Sequence, residues 1–302
     1  MESGYKMGKL VECVTNFSEG RRPEVIEAIV NEVKKVPGVR VLDVKADASH
    51  NRVVVTFVGE PASVKQAAFA ACAKATQLID MEQHHGEHPR IGATDVIPFI
   101  PVSDVTIEEC VALANELGKE IGEKLGIPVY MYEAAAKKPE RIKLPDVRKG
   151  QYEGLKTEIV KPERQPDYGP AQMHPTAGAT VVGARQFLIA YNINLNTSDV
   201  TIAKKIATAI REAKGGYKYC RAMGIMIEER NMAQVTINMV NYEGTPLHRV
   251  FETVKSEAAR YGVNVIGSEI VGLLPMQALI DTAAFYLRLE DFDRKQVMEE
   301  NI

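Results

Sequence analysis

The chain has 302 residues, of which 45% are hydrophobic and 25% charged, a balance typical of a globular protein with one large core or two smaller ones. Its net charge of −3 provides no basic field that could hold nucleic acid by its phosphates. No stretch approaches the roughly 20 apolar residues of a membrane helix, so we expect neither a nucleic-acid partner nor a membrane.

The cysteines are widely spaced, and none belongs to a CxxC pair. They are Cys13, Cys72, Cys110 and Cys220. This pattern argues against a disulfide scaffold or a zinc knuckle and favours reduced, mostly buried thiols in a cytoplasmic protein. The amino-terminal stretch MESGYKMGKLVE contains no apolar run and is not expected to be a secretory signal.

Strand and helix signals alternate along the first part of the chain. Strands are predicted at 10–14, 39–44, 52–58, 96–102 and 128–132, and helices at 23–36, 61–80 and 106–125. From residue 133 to about 180 the pattern breaks into a segment rich in proline, glycine and charge. A loop of this length inside a compact chain is usually functional or disordered, and we expect a functional one that partly covers a cleft.

The second half repeats the layout of the first at an offset of roughly 180 residues. In each half a strand and a helix precede two strands that flank a polar turn, 47–51 or 228–231. Asn16, and Asn192 or Asn194, are expected at the ends of the first strands of the two halves. A role in a turn and a contact with substrate are both open for them. We predict an α/β (α+β) fold of two related ferredoxin-like βαββα-type subdomains, 1–182 and 183–302, with sheets packed together and helices outside.

One segment, IDMEQHHGEHPRIGATDVIPFIPV, is unusually rich in groups that can carry protons. Three of the six histidines, His84, His85 and His88, lie within five residues, with Glu87 among them. Pro89 and the glycines indicate a loop rather than a regular helix. Histidine suits proton transfer near neutral pH because its free pKa is about 6.5.

Three interpretations of this segment are open. It could be a polar surface loop, or His84 and His88 could bind a metal, although HHGEH is not HExxH. We favour an acid/base histidine whose tautomer is fixed by a nearby carboxylate. Phosphate-loop, dinucleotide-binding and GxSxG signatures are absent from the sequence, which disfavours ATP, dinucleotide redox and α/β-hydrolase chemistry.

The turn ADASHNR gathers Asp47, His50, Asn51 and Arg52 between two strands. Its residue types are ordinary turn formers, so a hairpin turn explains most of it. The arginine at the start of an apolar strand is less ordinary, because its guanidinium could hold a carboxylate bidentately. Asn51 and Arg52 are therefore candidates for binding substrate.

Four stretches that together cover nearly the whole chain carry a resemblance to a known family. They are VECVTNFSEG, LIDMEQHHGEHPRIGATDVIPFIPV, DYGP…HPTAGATVVGARQFLIAYNINL and VGLLPMQALIDTAAFY. The chain resembles glutamate formiminotransferase, a folate-dependent enzyme of histidine breakdown, in its stand-alone form and as the first domain of formiminotransferase-cyclodeaminase. The resemblance implies transfer of a formimino group from N-formimino-L-glutamate to N5 of tetrahydrofolate, which acts as co-substrate, with no metal.

The resemblance also implies site residues. The catalytic histidine of the GEHPR motif corresponds to His88, and His84 occupies a second histidine position. An assisting acidic residue of some relatives corresponds to Lys45, so we assign the carboxylate role to the nearby Asp47, with Asp43 open. The folate-contacting loop corresponds to a run of ten residues, Gly169, Pro170, Ala171, Gln172, Met173, His174, Pro175, Thr176, Ala177 and Gly178. Ala177 replaces an aromatic residue of some relatives.

The resemblance further implies a homodimer with folate between two α/β subdomains. Arg52, Arg90 and lysines of the 133–180 segment are candidates for holding the substrate carboxylates. Three alternatives stay open: formyl transfer from 5-formyltetrahydrofolate to glutamate, a folate-binding protein without turnover, and a metal hydrolase using His84 and His88.

Overall fold

The computed structural model describes residues 8–301 and divides into two compact units, one that ends at Arg185 and one that begins at Gln186. The expectation that the amino terminus is not a signal rests partly on residues 1–7, which lie outside the described residues. Each unit has its own hydrophobic core. None of the helices within residues 8–301 combines the length and hydropathy needed to cross a membrane.

The first unit contains one sheet of six strands. Its strands are β1 (Leu10–Phe17), β2 (Arg40–Asp47), β3 (Arg52–Gly59), β4 (Thr94–Ser103), β5 (Val129–Glu133) and β6 (Thr180–Ala184). The order across the sheet is β2-β3-β1-β4-β6-β5, with antiparallel pairs from β2 to β4 and parallel pairs beyond. The first four strands have the ferredoxin-like order, and the last two extend it.

Three helices cover one face of this sheet and follow from local signals. They are α1 (Pro23–Lys34), α2 (Pro61–Leu78) and α3 (Ile107–Leu125). The first two begin with proline at the first position, where the missing N–H costs no hydrogen bond. A reciprocal capping box between Thr106 and Glu109 starts α3, and the left-handed Gly126 ends it.

The second unit repeats this topology. Its strands are β7 (Ile189–Leu195), β8 (Cys220–Ile227), β9 (Met232–Met239) and β10 (Val265–Val271), and its longer helices are α6 (Val200–Ile210), α7 (Leu247–Ala259) and α8 (Met276–Leu287). The order β10-β7-β9-β8 is antiparallel throughout and matches β4-β1-β3-β2 of the first unit. The predicted α/β class with two related ferredoxin-like subdomains is confirmed.

The segment between β5 and β6 is more regular than the sequence suggests. It contains two short helices, α4 (Leu144–Val147) and α5 (Gln151–Glu158). Tyr152 and Leu155 are buried, and Arg141 forms a buried ion pair with Asp167 at 2.8 Å. The sequence predicted a plain loop because proline, glycine and charge hide these short helices.

Two smaller expectations concern the asparagines of the first strands and the cysteines. Asn16 and Asn194 are the next-to-last residues of β1 and β7, as expected, whereas Asn192 lies in the middle of β7. Asn192 Oδ1 accepts from Thr236 Oγ1 at 2.7 Å and Asn194 Oδ1 accepts from Gln234 Nε2 at 2.9 Å, so both side chains bond across the sheet. All four cysteines are free and buried, as predicted.

Candidate active site

Two segments of the first unit meet at the site: the turn 48–51 between β2 and β3, and the loop 79–93 between α2 and β4. Gly86 permits the approach, because a Cβ atom there would lie 2.4 Å from the backbone oxygen of His50. Asn51, at the end of the turn, holds the two segments together; its φ of 48° lies in the left-handed region that asparagine tolerates. Its Nδ2 donates to the oxygen of His85 at 3.0 Å, and its Oδ1 accepts from the N–H of Gly20 at 2.9 Å.

Both ring nitrogens of His84 have protein partners. Nε2 lies 2.9 Å from the backbone oxygen of Asn51, and Nδ1 accepts from Nε of Arg90 at 3.2 Å. Because a carbonyl can only accept and this guanidinium nitrogen can only donate, the ring is neutral with its proton on Nε2. Burial lowers the pKa of His84, which agrees with that state.

Arg90 is buried, and its guanidinium is fully engaged. Nη1 and Nη2 donate to the two carboxylate oxygens of Glu153 at 2.9 and 2.6 Å, and Nη1 also donates to Oε1 of Gln151 at 3.1 Å. With His84 on Nε, the arginine links the histidine loop to α5. This geometry leaves it little capacity for a substrate carboxylate.

His88 differs from His84 in every respect that matters for proton transfer. It is half-buried, and its ring makes no hydrogen bond to any residue in the described part of the chain. Burial, reinforced by the positive charges of Arg52 and Arg148, lowers the pKa of His88 to about 3. The ring is therefore a neutral base at physiological pH, with nitrogens available to a ligand.

Two arginines and a buried aspartate lie beside His88. Asp95 accepts from the N–H of Ile91 at 2.9 Å and forms an ion pair with Arg148. The side chain of Arg52 forms no hydrogen bond or ion pair with the residues that the structure describes, and its buried Nε has no partner. Burial and the neighbouring Arg148 lower the pKa of Arg52, while Asp47 and Asp95 oppose that shift.

Asp47 contacts His50 rather than His88. Its Oδ2 lies 2.6 Å from Nδ1 of His50, and its Oδ1 accepts from the backbone N–H of the same residue at 3.0 Å. These hydrogen bonds lower the pKa of Asp47. The carboxylate therefore holds the proton of His50 on Nδ1 and leaves Nε2 as its second exchangeable position.

A small pocket joins these groups. It is lined by Phe17, Ser18, His50, Asn51, Arg52, His84, His88, Arg90 and Asp95, and it is a shallow depression that is partly open to solvent. It has almost no enclosed volume, whereas sites that surround a whole drug-sized ligand enclose roughly 300–1,000 Å³. These side chains can therefore contact a single functional group of a ligand, such as a carboxylate, rather than surround a whole substrate.

The stretch 169–178 packs behind the histidine loop. Thr176 and Ala177 donate backbone N–H groups to Nδ1 of His174 at 3.3 and 3.0 Å, and their carbonyl oxygens accept from Met81 and Ala93 at 2.8 Å each. Ala177 and Gly178 are buried, whereas residues 169–172 and Pro175 are exposed. Only the exposed part of this stretch has surface to offer a ligand.

The structure brings together most of the residues that the sequence suggested, namely His84, His88, Asn51, Arg52 and Arg90. The sequence did not single out Arg148, Gln151 or Glu153, although the segment containing them was expected to be functional. No group of three or more histidine, cysteine, aspartate or glutamate side chains suited to a metal ion occurs within residues 8–301.

Comparisons with known proteins match the chain along almost its full length. The model of the formiminotransferase domain, N-terminal subdomain, matches residues 10–185, and that of the formiminotransferase domain matches residues 190–301. Glutamate formimidoyltransferase of Streptococcus pyogenes is 53% identical over 98% of this chain and 99% of its own length. The Thermoplasma acidophilum protein of the same name is 49% identical over 97% of both chains.

The bifunctional relatives are longer. Formimidoyltransferase-cyclodeaminase of Gallus gallus is 48% identical over 94% of this chain, a match that spans 53% of that relative. The resemblance to the stand-alone form is confirmed, and the chain belongs to the formiminotransferase family.

Proposed function

We propose that the chain is a glutamate formimidoyltransferase that moves the formimino group of N-formimino-L-glutamate to N5 of tetrahydrofolate. Family membership supports the reaction. The observation that carries it is a neutral, unpartnered imidazole, His88, on a pocket beside the unpaired Arg52. The reaction needs such a base next to a site for an anionic substrate.

The chemistry defines what His88 has to do. N5 of tetrahydrofolate attacks the formimino carbon, a tetrahedral intermediate forms, and the bond from that carbon to the glutamate nitrogen breaks. One proton leaves N5 and one reaches the glutamate nitrogen, so the two transfers balance. His88 accepts the proton of N5, a role that typically contributes about 10² to 10⁴ in rate.

The carboxylate role assigned to Asp47 acts through His50. A carboxylate that accepts Nδ1–H fixes the tautomer of an imidazole and stabilises its charged form. His50 lines the same pocket as His88, so a protonated His50 ring can deliver a proton from Nε2 to the departing glutamate nitrogen, and the proton that His88 took from N5 then returns to His50 through solvent. His84, with both nitrogens occupied, serves as a positioning residue for the loop that carries His88.

The residues suggested for substrate binding separate into two groups. Arg52 has a free guanidinium on the pocket and is the candidate for a substrate carboxylate. Arg90 and Asn51 are engaged with Glu153 and with His85, so they support the pocket wall. This division gives each residue one role that a variant can test.

Tetrahydrofolate is proposed to contact the exposed part of 169–178. Backbone hydrogen bonds in both directions between His174 and Gly178 close the end of this stretch into a defined turn, with Pro175 exposed on it. The buried Ala177 does not offer a ring on which a pterin could stack. Contacts from backbone groups and from Gln172 and Pro175 remain available to the folate.

A cytoplasmic homodimer completes the proposal. Four free cysteines suit a reducing compartment. Helix α8 exposes several large apolar side chains, Leu279 at 52%, Phe285 at 50% and Leu287 at 68%, a pattern found at surfaces that bind other proteins. Sedimentation at micromolar concentration would separate a dimer from a monomer.

The deciding experiment follows tetrahydrofolate conversion to 5-formiminotetrahydrofolate with wild-type protein, His88→Gln and the exposed control His85→Gln. We expect kcat to fall at least 100-fold in the first variant, with tetrahydrofolate binding retained, and to stay near the wild-type value in the second. Turnover only with 5-formyltetrahydrofolate and glutamate, or folate binding without turnover, would contradict the proposal.

A further inference from the structure

Arg148 lies at the end of α4 and is held in place by its own backbone and its neighbours. Its N–H donates to the oxygen of Leu144 at 3.0 Å, and Nη2 of Arg164 donates to the oxygens of Val147 and Lys149 at 3.3 and 3.0 Å. These bonds clamp the chain on both sides of Arg148. The backbone at Arg148 is therefore fixed, and the ion pair with Asp95 orients its side chain, although the residue comes from a charged surface segment.

The hydrogen bonds of Arg148 are incomplete. Its one charged partner is Asp95, and its buried Nε has no partner among the described residues. The buried Nε of Arg52 is also without a partner. Asp95 pairs with Arg148 and lines the same pocket as Arg52 and His88, so both guanidinium groups lie beside that pocket.

Two neighbouring guanidinium groups with unused N–H donors need an anion. A carboxylate fits best, because its two oxygens match the planar donor fork of arginine and its charge offsets the repulsion between the cations. Asp95 occupies only part of Arg148 and none of Arg52. Asp95, which pairs with Arg148, lines the same pocket as Arg52 and His88, so an anion bound there would meet both arginines.

We infer that Arg52 and Arg148 form a two-arginine receptor for the α-carboxylate of N-formimino-L-glutamate, an assignment that rests on the proposed function. The α-carboxylate is separated from the reacting nitrogen by one carbon, whereas the γ-carboxylate is three carbons away. Only an anion so close to the formimino group can reach Arg52 while the formimino carbon lies at His88, because both side chains line the same pocket. Arg148 is thus a specificity-determining residue, because it binds the α-carboxylate that distinguishes this donor.

The test compares two donors, N-formimino-L-glutamate and 4-(formimino)aminobutyrate, which lacks only the α-carboxylate. Wild type is expected to prefer the first by roughly 100-fold or more in kcat/KM. In Arg148→Met/Asp95→Asn, which leaves no unpaired buried carboxylate, that preference falls to a few-fold. Arg148→Lys keeps the positive charge but loses the paired N–H donors of the planar guanidinium. The KM of this variant for formiminoglutamate is expected to rise roughly 10-fold. The KM for tetrahydrofolate is unchanged in both variants.

Lys149→Met is the matched control, because it removes one positive charge from the adjacent exposed position and keeps the wild-type preference. The inference is overturned if the double variant keeps the full wild-type preference for N-formimino-L-glutamate, or if its kcat/KM falls equally for both donors. If wild type lacks formimino transfer, calorimetry with N-acetyl-L-glutamate and 4-acetamidobutyrate replaces kinetics. Binding of the first alone, lost in Arg148→Lys, supports the receptor without the proposed reaction, and equal binding of both overturns it.

Discussion

Nε2 of His84 lies 2.9 Å from the backbone oxygen of Asn51, so the histidine loop and the turn before β3 are joined by a hydrogen bond at the wall of the pocket. The other nitrogen of the ring is occupied by Arg90. A histidine bound on both sides cannot exchange protons with a substrate without breaking one of these bonds. Its contribution to catalysis is therefore to hold the loop in place.

His84→Ala tests this positioning role. We expect the free energy of unfolding to fall by about 1–3 kcal/mol, because a buried donor and a buried acceptor lose their partners. His84→Gln can restore the bond to Asn51 and should recover part of that loss. Urea titration measures the stability, and kinetics over a range of pH should show a lower kcat with an unchanged profile. A shifted profile would instead indicate that His84 exchanges protons during the reaction.

Arg90 and Glu153 should couple through their two parallel hydrogen bonds. A double-mutant cycle with Arg90→Lys and Glu153→Gln is expected to give a coupling of about 1 kcal/mol in stability, the upper end for partly exposed pairs. The pair Lys124 and Glu120 on α3 is the exposed control and should give roughly 0.3–0.5 kcal/mol. A larger effect of Arg90→Lys on the KM for formiminoglutamate than on stability would contradict a supporting role.

Asn51 and Asn231 occupy corresponding turns of the two units, with φ of 48° and 45°. Only Asn51 uses its side chain for hydrogen bonds within the described residues. We expect Asn231→Ala to lower the free energy of unfolding by about 1 kcal/mol through backbone strain alone. Asn51→Ala should lower it by about 2–4 kcal/mol, because the side-chain hydrogen bonds are lost as well. The glycine variants remove the strain, so Asn231→Gly should be nearly neutral while Asn51→Gly stays destabilised. If calorimetry gave the same loss of unfolding free energy for the Asn51 and Asn231 variants, this account would be refuted.

The depressed pKa of His88 predicts a specific dependence of stability on pH. The unfolded chain binds this proton with a pKa of about 6.5, whereas the folded value is about 3. Between these values the unfolded state holds more protons, so the free energy of unfolding decreases as pH falls from about 6.5 towards 3. His88→Gln should remove part of that slope, at most about 1.4 kcal/mol per pH unit and less because the ring is partly solvated.

Nitrogen NMR of the labelled imidazole provides the direct measurement. The ring of His88 should remain neutral at pH 5 in wild type and take up a proton at higher pH in Arg148→Met/Asp95→Asn, which lacks one of the two neighbouring cations. A titration of His88 near pH 6.5 in wild type would contradict the cationic pocket.

The sequence predicts the fold because helix and strand periods, proline at helix starts and the repeat of the two halves all act locally. It also predicts the histidine loop, since the histidine cluster is a dense local signal, and the family resemblance implies His88 within it. It does not distinguish His84 from His88, because that difference depends on Arg90 and Asn51 arriving from other segments. Nor does it identify Arg148, one of many charged residues in its segment, whose role comes from the fold bringing α4 against Asp95.

The short contact between Asp47 and His50 leads to the last prediction. Asp47→Asn replaces the acceptor at Nδ1 with an amide that can donate, so the proton of His50 moves to Nε2 and no carboxylate remains to stabilise a second proton on the ring. If His50 delivers the proton to the glutamate nitrogen, kcat should fall roughly 10- to 100-fold, with a smaller change in the KM for either substrate. His50→Gln should give a similar loss.

Because the two residues act as a unit, the double variant should be no worse than either single one. Asp199→Asn is the control, because it removes a turn carboxylate that caps α6 in the other unit and should affect stability alone. Additive losses in the double variant would mean that Asp47 contributes through the shape of the turn, and a wild-type kcat in Asp47→Asn would leave His88 as the single proton carrier.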